Sequence, residues 1–84
     1  MSDYTTPRGR TVRVGETYRD ANRIEPRTLR VTGIGEPWTD YRGKERCNVA
    51  VDVLAADGSV LRQLDMEALR ITGREFVLVA GLGQ

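Results

Sequence analysis

Cys47 is the strongest nucleophile this chain offers, and there is no histidine anywhere in it to take the proton. Thiolate chemistry needs a base or a cationic neighbour, together with access to solvent. Cys47 instead falls in phase with Val49, Val51 and Val53, which marks it as an inward-facing core residue. General acid–base work near neutral pH most often uses His, so here the 12 carboxylates would have to supply it. No motif pairs any two of them. Asp65 and Glu67 read as a helix cap and its solvated neighbour, while Asp52 and Asp57 flank a hairpin, where Asp is common. Gly33-Ile34-Gly35 and Gly81-Leu82-Gly83 lack the following helix that a phosphate-cradling glycine loop requires. One cysteine and no histidine cannot assemble the usual zinc sets or an intramolecular disulfide. The expectation is a non-enzymatic chain without metal or cofactor.

Recognition is the chemistry that remains. Trp38 and Tyr41 stand in a polar stretch beside Pro37, Asp40 and Arg42, and Tyr18 is followed by Arg19 and Asp20. Aromatic and Arg side chains are the usual anchors of protein interfaces. Charge offers a competing reading. Residues 1–30 carry seven arginines against four acids, whereas the remainder carries six basic and eight acidic residues. Arg suits bidentate phosphate contacts. Arg10, Arg13, Arg27 and Arg30 would then form a basic stripe, with Tyr18 or Trp38 stacking on bases. The net charge of only +1, with acids interleaved throughout, disfavours a nucleic-acid partner. A protein partner, or a second copy of the chain, is the preferred expectation.

These residues must be positioned by short strands. Val12 and Val14 alternate with Arg13 in a first strand over about residues 11–18, where Gly15 suggests a bend. A charged segment with Arg23 and Pro26 leads to a second strand over residues 28–34, in which Ile34 is out of phase and predicts a bulge near Gly33. Residues 35–46 show no period and read as a long loop. Cys47 to Val53 alternates cleanly, Asp57-Gly58 marks a tight hairpin, and a fourth strand follows from Val60 to Leu64. Residues 65–69 suit one helical turn capped by Asp65. A last strand, over residues 75–80, looks buried on both faces through Phe76-Val77-Leu78-Val79.

That order predicts an all-β fold, a five-stranded SH3-like small barrel with one short helical turn before its last strand. The domain would span residues 11–80, between a flexible tail at 1–10 and another at 81–84. In such a barrel the loops after the first two strands lie side by side. Tyr18, Trp38 and Tyr41 would then line one groove, with Arg19, Asp20 and Arg23 at its rim and Arg42 beside it. For Tyr18 the plainer reading, packing at the barrel end, is preferred; Trp38 is left open between solvent and core. The polar N-terminus has no apolar stretch of the signal-peptide kind, and the run Phe76–Ala80 is too short to cross a bilayer, so a cytoplasmic location without membrane contact is expected.

The run Val12-Arg13-Val14-Gly15-Glu16-Thr17-Tyr18-Arg19-Asp20, followed by Arg27-Thr28-Leu29-Arg30-Val31, resembles a pattern in short uncharacterised proteins of actinobacteria and their phages. Their "V-x-V-G-x-x-Y-x-D" opening precedes an "R-T-x-x-V" strand, and the segment from Leu69-Arg70 through Gly73 to Leu78 is similar to their ending. The Trp38 segment departs from them. The resemblance implies a lineage and a small β fold, and it carries no activity and no site residues across.

Overall fold

The computed structural model describes residues 3–20 and 27–80. Its elements are β1 (Asp3–Thr5), β2 (Thr11–Arg13), β3 (Thr17–Asp20), β4 (Thr28–Ile34), β5 (Trp38–Thr39), β6 (Glu45–Arg46), β7 (Asn48–Leu54), β8 (Val60–Glu67), α1 (Ala68–Ile71) and β9 (Phe76–Ala80). Over the described residues the chain is mostly β with one short helix, as expected. Five strands form an antiparallel sheet in the order β8-β7-β4-β3-β9, while β1 with β2 and β5 with β6 make separate two-stranded ribbons. Hydrogen bonding does not close this sheet into a barrel: β8 and β9 are its two edges and do not pair with each other.

The centre of the sheet follows its sequence pattern. Cys47, Val49, Val51 and Val53 are buried, and β7 pairs with β8 from Asn48↔Glu67 to Leu54↔Val60. At the connecting turn the Gly58 amide donates to the Ala55 carbonyl at 2.9 Å, with Gly58 at φ +89°. Asp57 accepts from both the hydroxyl and the amide of Ser59, which holds its carboxyl below the usual range. The β4–β7 register shifts between Val31 and Gly33, the bulge that the phase of Ile34 implies. The largest fully buried side chains are Leu29, Ile71, Val12, Val31, Val49 and Val51.

Four expectations need correction. Residues 11–18 are not one strand. The Glu16 amide donates to the Arg13 carbonyl at 3.2 Å across a turn that puts Gly15 at φ +96°, so β2 and β3 enter different sheets. Nor is the N-terminal segment only a tail. β1 pairs with β2 across Tyr4↔Val12, and Tyr4 is buried, its hydroxyl donating to Glu45 Oε2 at 2.6 Å. Burial, then the adjacent Glu45 carboxylate, pushes this phenol up to about 12.

The helical turn starts at Ala68, not Asp65, because pairing with β7 keeps β8 extended through Glu67. Glu67 caps it without a side-chain bond, and the Ala68 amide donates instead to the Cys47 carbonyl at 2.8 Å. Finally, the last strand is not buried on both faces. Phe76 is buried, but Val77, Leu78 and Val79 are about half exposed, since β9 is an edge with β3 as its one neighbour among the described residues.

Candidate functional site

Residues 38–46, expected as part of a loop, form a hairpin of β5 and β6 with Trp38 opposite Arg46 and Thr39 opposite Glu45. Its turn is built around Asp40. The Gly43 amide donates to the Asp40 carbonyl at 3.0 Å and the Asp40 amide to the Lys44 carbonyl at 2.9 Å, with Gly43 at φ +80°. This is the three-residue hairpin loop that ends on a left-handed residue, a position glycine occupies without steric cost. The Asp40 side chain fills the rest of the turn, with Oδ1 accepting the amides of Arg42 at 2.9 Å and Lys44 at 3.0 Å. Its Oδ2 accepts Arg46 Nε at 3.0 Å.

The hairpin is tied to the body of the domain at two further points. Arg46 Nη1 lies 2.8 Å from both carboxylate oxygens of Glu67, at the end of β8. Glu45 accepts the Tyr4 hydroxyl from β1. On this braced platform Trp38 is 48% exposed and Tyr41 is 90% exposed. The Arg42 guanidinium lies 5.5 Å from the Tyr41 ring centroid, and its Nε donates to the Tyr41 hydroxyl at 3.1 Å. Two aromatic rings and a cation are thus presented to solvent by a short, hydrogen-bonded ribbon.

The other predicted site residues are placed elsewhere. Tyr18 is a core residue, its hydroxyl donating to Glu16 at 3.1 Å. Burial, then the Glu16 carboxylate, raises its pKa. It therefore lines no groove with Trp38 and Tyr41. Asp20 is buried as well and pairs with Arg27 at 3.4 Å. Arg19 is exposed, and Arg23 lies outside the described residues.

The basic stripe does not assemble either. Arg13 sits in the β1–β2 ribbon opposite Asp3, whereas Arg30 sits in the main sheet opposite Thr17 and Asp52. Arg30 pairs with Asp52 at 3.5 Å, and Gln63 donates to the same carboxylate at 2.9 Å. Arg27 is engaged by Asp20, which leaves Arg10 and Arg13 exposed without an ion pair among the described residues. The Cys47 thiol is buried, donates to the Gly35 carbonyl at 3.3 Å, and is pushed up by that burial. Among the described residues no group of three or more Cys, Asp and Glu side chains is placed to hold a metal ion.

Asp40 makes the hairpin acid-sensitive. The Lys44 amide first, then Arg46 and the Arg42 amide, hold its carboxyl below the usual carboxylate range. Its folded pKa thus lies below its unfolded one, so its contribution is complete above the unfolded value and fades as pH falls through the folded one. Trp38 is the single tryptophan, so its emission reads this hairpin directly. Acidification below about pH 4 should change that emission, and Asp40→Asn should shrink the acid step. An emission that stays flat under acidification, or the same step in Asp40→Asn, contradicts the assignment.

Glu45, Arg46 and Glu67 are the bracing residues that pattern reasoning missed. The turn itself had a signal: Asp40 first and Gly43 fourth is the grammar of a hairpin turn. The chain matches no family model, no curated protein and no solved structure.

Proposed function

We propose that this domain is a non-enzymatic protein-interaction module, an adaptor, regulatory or phage accessory part, that engages its partner through the β5–β6 hairpin. The observation that carries this reading is the exposure of Trp38 and Tyr41 on a ribbon already fixed by Asp40, Arg46 and Glu67. Scattered exposed apolar residues are ordinary. Two aromatics with Arg42, within five residues on a preorganised turn, are a hot-spot composition with little left to order on binding. The absence of enzymatic activity is supported by how the carboxylates are used. Glu16, Asp20, Asp40, Asp52 and Glu67 are all engaged by structural donors.

The same reading takes the sheet to coil as a small SH3-like barrel of the kind found in short actinobacterial and phage proteins. Two observations support it. The last strand lies beside β3 in the sheet order. One cavity of about 550 Å³ is lined both by Arg27, just before β4, and by Met66 and Glu67 at the far end of β8 with Arg70 of α1.

The test is the emission of Trp38 during titration with a partner captured from an extract of the source cells. A shift to shorter wavelength on binding is expected; an unchanged spectrum at saturation would remove the hairpin from the interface. Titration with single- and double-stranded oligonucleotides at low ionic strength checks the competing reading, and no binding is expected because Arg27 and Arg30 are already paired.

A further inference from the structure

The β9 edge carries a second surface, independent of the hairpin. Val77, Leu78 and Val79 are 50%, 49% and 47% exposed, and β9 hydrogen-bonds to β3 alone among the described residues. An edge strand presents a row of unpaired backbone donors and acceptors. Beside it runs a groove of about 480 Å³, lined by Phe76, Val77 and Leu78 and by three arginines, Arg8, Arg10 and Arg74. None of the three arginines has an ion pair among the described residues. Arg8 and Arg10 come from the β1–β2 turn and Arg74 from the segment before β9, so two separate parts of the chain bring like charge to one apolar floor. Two carboxylates lie near: Glu75, in the adjoining cavity, and Asp20, opposite Phe76 on β3, which is buried and paired with Arg27. The opposite edge, β8, interleaves Arg62 with Asp65 and Glu67 and so selects no sign of charge.

We propose that β9 accepts an extended segment of a partner protein as an added strand, and that this segment alternates apolar with acidic residues. Strand addition takes affinity from backbone hydrogen bonds and specificity from alternate side chains. Successive strand side chains point to opposite faces, so one face of the incoming strand would cover Val77 and Val79, and carboxylates on its other face, beside Leu78, would meet Arg8, Arg10 and Arg74. A second copy of this chain is the wrong occupant, because it brings its own three arginines to the contact.

The probe is a labelled peptide of about ten residues, long enough to match an ordinary strand, alternating valine with glutamate and followed by fluorescence anisotropy at low salt. The peptide should bind, its affinity should fall as salt rises, and hydrogen exchange should slow within residues 76–80. The double variant Arg8→Glu/Arg10→Glu, altered on an exposed turn, should weaken binding roughly tenfold or more. Trp38→Ala should leave this binding unchanged, which separates it from the hairpin reading. Several results would overturn the proposal: equal binding of the valine–lysine peptide, undiminished binding of a peptide N-methylated at alternate amides, protection outside β9, tighter binding of oligothymidine, or self-association that slows exchange in β9.

Discussion

Removal of residues 1–10 should destabilise this domain by about 3 kcal/mol or more, a large share of the ~5 kcal/mol expected of so short a chain. Truncation deletes β1, strips the outer partner from β2 and uncovers Val12, which is fully buried. It also removes the Tyr4 ring from the core and the Tyr4 hydroxyl from Glu45. Two point variants divide the effect. Tyr4→Ala loses both packing and the hydrogen bond and should account for most of it, about 3 kcal/mol. Tyr4→Phe keeps the ring and loses only the charge-assisted bond, at a cost of about 1 kcal/mol because that bond is partly solvated. Urea unfolding measures all three. A true tail would give a truncated protein within about 0.5 kcal/mol of the full chain, and that result would remove β1 from the fold.

The second large effect is expected at Glu16, a charged residue that is only 3% exposed. Its Oε1 accepts the Arg13 amide at 2.6 Å and the Tyr18 hydroxyl at 3.1 Å. One carboxylate therefore closes the turn at Gly15 and satisfies the buried phenol of Tyr18. Glu16→Ala leaves both donors without that partner and should cost about 2–3 kcal/mol in denaturant unfolding. Glu16→Gln keeps an acceptor oxygen in place and should restore most of that loss. If Ala and Gln are equally mild, the pair of hydrogen bonds does not hold the turn; if both are equally severe, the negative charge itself is what matters.

The parts of this fold that could be read in the sequence are those set by neighbours in the chain. Alternation from Cys47 to Val53, the hairpin turn at Asp57-Gly58, and the phase break at Ile34 all depend on residues a few positions apart, and each is found, the turn one residue earlier than a central Asp-Gly pair implies, over 55–58. The misreadings at Tyr4, Asp52 and β9 involve partners far along the chain. Tyr4 is held by Glu45, 41 residues away, so its burial has no local signal. Asp52 has the phase of an outward residue, yet it is buried because Arg30 and Gln63 reach across from the two neighbouring strands. The apolar run from Phe76 to Val79 looks the same whether a strand is central or at an edge, and only the sheet order makes it an edge.

The aromatic site was legible by composition and not by arrangement. Trp38, Tyr41 and Arg42 are exposed together, while Tyr18 belongs to the core. The hairpin that carries them had an available signal, because Thr6-Pro7-Arg8-Gly9 and Asp40-Tyr41-Arg42-Gly43 both end on glycine as Ala55-Ala56-Asp57-Gly58 does. In all three the glycine amide donates to the carbonyl of the first turn residue, at 2.8, 3.0 and 2.9 Å. One turn type repeated three times explains both ribbons that the strand count left out.

The most direct measurement is the affinity of the native partner for wild type and for the double variant Trp38→Ala/Tyr41→Ala, with unfolding midpoints taken in parallel. Both side chains are largely outside the core, so the variant should unfold within about 0.5 kcal/mol of wild type. Its binding should weaken by about 2 kcal/mol or more, roughly thirtyfold. Full affinity in a folded double variant would contradict the hairpin as the interaction surface.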